Sequence, residues 1–102
     1  MIERKTDLFA LMAKHQAELR SFGVRRWGVF GSFASGLQNN RSDVDILVEF
    51  EKGMKSFDNF MHLASFLEQQ IGRRVELVTP ESLSPHIGPH ILREVEYASS
   101  IS

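Results

Sequence analysis

The stretch Ser42-Asp43-Val44-Asp45-Ile46-Leu47-Val48-Glu49-Phe50 (SDVDILVEF) decides the fold. Successive side chains of a β-strand point to opposite faces. Val44, Ile46, Val48 and Phe50 therefore share one face, and Asp43, Asp45, Leu47 and Glu49 share the other. The pattern predicts a strand over 43–50 with its apolar face in a core and its acidic face accessible. Asp is disfavoured in strands, so two at alternate positions lean towards a function. Two carboxylates on one face of a strand can hold a divalent cation.

Upstream, residues 24–30 carry β-branched and aromatic side chains and read as a strand that ends at Gly31. GSFASG (31–36) follows. Its small residues allow a turn that sets backbone N–H groups and the Ser32 hydroxyl against a phosphate. Residues 32–36 read as a short helix, and LQNNRS (37–42) as a polar loop. Nearer the start, Leu8, Leu11 or Met12, His15, Leu19 and Phe22 recur at helical spacing up to Gly23, a left-handed stop, which predicts one helix.

Downstream, Ser56 reads as an N-cap with Asp58 in the first turn. Phe57, Phe60, Met61, Ala64, Leu67 and Ile71 then repeat with helical period as a core-facing stripe, and Gly72 ends the helix. Residues 74–78 form a third strand, with Val75 and Leu77 on one face and Glu76 on the other. Thr79-Pro80 begins a turn or short helix. Gly88-Pro89 opens a last helix carrying Leu92, Val95 and Ile91. The order predicts a small α/β (α+β) domain: a mixed β-sheet with helices packed mainly on one face. Asp43, Asp45 and Glu76 are expected on the opposite face, where three converging carboxylates repel one another unless a cation sits between them. A phosphate cradle beside a metal clamp is the minimum equipment for chemistry on a nucleoside triphosphate.

Composition narrows the class. A chain of 102 residues suits a single domain over 1–102 and is too short for two. A net charge of -1, with Lys and Arg only singly or in pairs, argues against an extended nucleic-acid surface. The absence of cysteine excludes disulfides, thiolate zinc sites and cysteine nucleophiles, and fits a reducing cytoplasm. The charged N-terminal stretch is neither a signal peptide nor a membrane span, so a cytoplasmic domain with no membrane partner is expected. His86 and His90 are four apart, but Gly88-Pro89 between them argues against a helical zinc pair, and surface or capping roles are expected. His15 and His62 lie in helical segments and read as packing or surface residues.

GSFASG, SDVDILVEF and RRVELVTPESL in this order resemble the minimal nucleotidyltransferases of the DNA polymerase β superfamily. LEQQIGRRVELVTP and the closing HILREVEYA extend the resemblance over nearly the whole chain. It implies the nucleotidyltransferase fold and transfer of a nucleoside monophosphate, AMP from ATP, to a hydroxyl with release of pyrophosphate. It further implies that Gly31 and Ser32 hold the triphosphate and that Asp43 and Asp45 bind Mg²⁺. Glu76 would stand as the third carboxylate, binding a second Mg²⁺ and easing deprotonation of the attacking hydroxyl. Two positions depart from the family pattern: Ser35 stands where Arg is frequent, and Glu76 where Asp is common. Minimal members of the family resemble the antitoxin half of toxin–antitoxin pairs, which implies a small all-helical partner of the HEPN class carrying the acceptor hydroxyl. The alternative is a catalytically idle antitoxin or nucleotide-binding module that neutralises its partner by binding alone.

Overall fold

The computed structural model describes residues 2–98. In it the decisive stretch forms β2 (Val44–Phe50), paired antiparallel with β1 (Val24–Phe30) and parallel with β3 (Val75–Val78). A parallel pair cannot be closed by a hairpin, and here the crossover is α4 (Phe57–Ile71), the longest helix described. Beyond β1 lies a fourth strand, β4 (Glu96–Tyr97), giving the order β3-β2-β1-β4. Three strands were expected from the sequence. Two residues carry no readable period, so only the pairing Gly28↔Tyr97 and Val29↔Glu96 reveals the fourth.

The apolar face of the sheet meets α1 (Lys5–Lys14), α2 (Gln16–Ser21) and α4. Trp27, Val29, Val44, Ile46, Val48 and Val75 pack there against Leu8, Met12, Leu19, Leu63, Leu67 and Ile71. Fully burying one such side chain contributes about 1.5–3 kcal/mol. The N-terminal segment is two helices rather than the single one its periodicity suggests. His15 leaves helical geometry (φ -110°, ψ 25°) and its N–H returns to the Met12 carbonyl, while Leu8, Met12 and Leu19 all stay in the core.

Caps read in the sequence hold α4 in place: Ser56 accepts from the Asn59 N–H, and Gly72 turns left-handed at φ 76°. Its buried stripe differs from expectation. Leu63, Leu67 and Ile71 face the core, while Phe57 and Met61 stay exposed. At about 100° per residue those two lie about 80° and 120° round the helix from the middle of the buried stripe.

The second face of the sheet is not open along its length. Leu47, expected there as an accessible residue, is fully buried, and Phe30 nearby is largely buried. After β3 come the 3₁₀ turn Pro80–Ser82, which packs against β2, and α5 (Gly88–Glu94), and beyond it the Val95 side chain presses on Gly28. Towards the other end of β2, Glu49 binds Arg25 and Arg26, and Arg26 lies 3.9 Å over the Tyr97 ring. The end carrying Asp45 and Glu76 remains accessible, with Asp45 half-buried and Glu76 exposed.

Candidate active site

The site begins where β1 ends. Phe30 pairs with Asp45, and the next residue, Gly31, turns away with φ 71° and ψ -148°. A side chain at position 31 is disfavoured by the positive φ, and a Cβ there would push the Asp45 Oδ2 atom aside. The Gly31 backbone therefore lies directly against the Asp45 carboxylate. α3 (Ser32–Ser35) starts from this turn, with the Gly31 carbonyl accepting the N–H groups of Ala34 and Ser35 at 3.1 Å each. Gly31 and Ser32 thus form the turn from β1 into α3, with Gly31 against Asp45.

The carboxylates come from the sheet. The parallel register places Glu76 beside Asp45 on the same face. Asp43 stands just before β2, exposed, in a segment fastened by the bond from the Val44 N–H to the Arg74 carbonyl. Partial burial, then the adjoining Glu76 carboxyl, then the charges of Asp43 and Glu94 push the Asp45 carboxyl up to about 6. Anionic charge is thus crowded here.

Glu94 was not singled out in the sequence. It lies at the end of α5, two residues before the short β4 strand, and its Oε1 atom accepts the Gly31 N–H at 3.1 Å. No local signal marks it, since its approach depends on β4 pairing with β1. His86 and His90 are both exposed. His90 contacts Arg93, Nδ1 to Nη2, at 3.0 Å.

Hard, anionic oxygen donors are the right chemistry for Mg²⁺, and the raised Asp45 carboxyl marks a place where a cation would relieve repulsion. Among the described residues, no three His, Asp or Glu side chains stand as a preformed cage. Asp45 and Glu76 are register neighbours, and enclosing an ion requires rotation of their side chains and of Asp43.

The chain belongs to the nucleotidyltransferase domain family, which matches residues 12–98. It is 45% identical over 92 residues to the protein adenylyltransferase MntA of Thermococcus cleftensis, covering 89% of this chain and 92% of that protein. A solved structure described as a minimal nucleotidyltransferase superposes with a TM-score of 0.78 at 32% identity, over 92% of this chain and 95% of that one. A toxin–antitoxin complex with AMP-PNP gives a TM-score of 0.72 at 22% identity, covering 92% and 74%. A complex of a tri-AMPylated HEPN toxin with its MNT antitoxin, from Shewanella oneidensis, gives 0.64 at 19%, covering 90% and 71%. The likeness to those two complexes is one of fold. The chain is a nucleotidyltransferase resembling the protein adenylyltransferases. No described helix is long and apolar enough to cross a membrane.

Proposed function

We propose that the chain transfers AMP from ATP to a side-chain hydroxyl of a small helical protein of the HEPN class, and so acts as the antitoxin of such a pair. The observation that carries this reading is the Asp45–Glu76 register with Gly31 packed on Asp45. It sets two carboxylates and a backbone turn within one small, accessible corner. The kinship to a protein adenylyltransferase and the fold shared with HEPN toxin–antitoxin complexes support the substrate and the partner.

In this reading the Gly31 and Ser32 backbone and the Ser32 hydroxyl bind the triphosphate. Asp43, Asp45 and Glu76 hold two Mg²⁺ ions. Bound there, Mg²⁺ supplies Lewis acidity to the phosphoryl oxygens and the acceptor hydroxyl. The hydroxyl oxygen forms a bond to the α-phosphorus, the α–β bridging P–O bond breaks, and pyrophosphate leaves. Glu76, as the third carboxylate, would ease deprotonation of the acceptor hydroxyl by taking up its proton. An unassisted hydroxyl is a poor nucleophile at neutral pH, which is why this carboxylate matters.

The test uses ATP labelled at the α-phosphate, Mg²⁺, the full chain and its HEPN partner, with Asp45→Asn run in parallel. Label appearing on the partner with the wild type and lost with Asp45→Asn is the expected result. A complex that forms and silences the partner with no label on it would replace the enzyme by an antitoxin that acts through binding.

A further inference from the structure

Glu94 occupies a backbone donor of the proposed phosphate site. Its position follows from the ladder. Glu96 pairs with Val29 in the antiparallel β1–β4 pair, so the residue two steps before Glu96 comes level with the residue two steps after Val29. Those residues are Glu94 and Gly31, and they are joined by the 3.1 Å bond from the Gly31 N–H to Oε1. Glu94 is exposed, so its side chain can swing into water without losing buried contacts. A single N–H carries one hydrogen and cannot serve a carboxylate and a phosphate oxygen at full strength together. Like-charge repulsion adds to this, because Glu94 already acts on Asp45 across the same corner.

We propose that Glu94 is an internal stand-in for phosphate: its carboxylate holds the Gly31 N–H in the free protein, and the incoming triphosphate displaces it. The proposal rests on the reading of the Gly31 turn as the triphosphate cradle. Glu94 is then a positioning residue that keeps the turn in binding geometry when empty and sets the affinity for the polyphosphate arm. Gln at this position keeps the shape and an amide acceptor but loses the charge. A charge-assisted hydrogen bond is roughly twice as strong as a neutral one, so the competitor weakens and polyphosphate binding tightens by about fivefold.

The experiment is calorimetric titration of the full-length chain, wild type and Glu94→Gln, with a non-hydrolysable Mg²⁺·ATP analogue and separately with Mg²⁺·tripolyphosphate. The amide resonance of Gly31 is followed by NMR in the same samples. The expected result is tighter binding of both ligands by Glu94→Gln. The Gly31 amide should also shift in the ligand-free variant, and again when ligand is added to the wild type. Equal or weaker binding by Glu94→Gln, with the wild type binding normally, overturns displacement and leaves the nucleotide site standing. A gain for the nucleotide but not for tripolyphosphate also overturns it, because the competition is for a phosphate oxygen. A Gly31 amide in the wild type that ignores both ligands overturns it without recourse to the variant. Absence of binding by both proteins overturns the nucleotide reading itself, and this inference with it.

Discussion

Asp45 concentrates the conflicts of the site. Its carboxyl is raised from the ordinary 3.8 to about 6, chiefly by burial and then by Glu76. Between about pH 4 and pH 6 the folded chain therefore keeps a proton that the unfolded chain has lost. The stability tied to that proton is complete below pH 4 and is lost as pH rises through 6. In melts without divalent cations, the melting temperature of Asp45→Asn should therefore climb relative to wild type from pH 4 to pH 7. Millimolar Mg²⁺ should raise the wild-type melting temperature at pH 7, much less at pH 5, and barely at all for the variant. A difference between the two proteins that stays flat with pH would remove carboxylate crowding from the description of the site. The same residue bears on Gly31: the positive φ of the turn favours glycine, and the Asp45 carboxylate occupies the space next to it.

At the level of elements, α4 couples the two acidic strands. It is the crossover between β2 and β3, so its ends fix how β3 enters the sheet and hence that Glu76 falls beside Asp45. Its start is tied twice: Ser56 caps the Asn59 N–H at 3.1 Å, and the Asn59 side chain donates to the carbonyls of Phe22 and Met54. Losing an N-cap hydroxyl costs about 1 kcal/mol. Ser56→Ala should accordingly lower the thermal midpoint by about 4–8 °C in a domain of this size, with AMP transfer retained below the transition. Most of α4 was readable in advance through its caps and period. The centre of its buried stripe was not, because the apolar positions span a wide arc of the helix and periodicity does not say which part of that arc meets the sheet. Phe57 and Met61 fall on the edge of that arc that turns away from the sheet.

At the scale of the whole molecule, Arg73 joins parts distant in sequence. It donates to the carbonyls of Ile2, Asn39 and Ser42, and its guanidinium lies 5.0 Å from the centre of the Phe33 ring. One planar fork thus fastens the N-terminal segment, α3 and the loop that delivers Asp43 to its place before β2. Arg73→Lys keeps the charge but cannot span these acceptors. It should lower the melting temperature by several degrees and raise the Mg²⁺ concentration needed for half-maximal transfer. Unchanged Mg²⁺ dependence would show that the loop holds Asp43 without this anchor.

The sequence alone determined the strands β1, β2 and β3, the caps of α4, the short helix after Gly31, and the acidic and glycine positions of the proposed site. These depend on period-two and helical patterning and on glycine and serine chemistry, all local properties that neighbouring residues carry with them. Tertiary structure decided the rest. Only pairing could show that Glu76 falls level with Asp45, because parallel register is a relation between segments about thirty residues apart. Only the return of the C-terminal segment could bury Leu47, add β4 and bring Glu94 onto the Gly31 N–H. Two residues of strand hold too little pattern to be seen in sequence, yet their hydrogen bonds to β1 place a carboxylate where a phosphate is expected to bind.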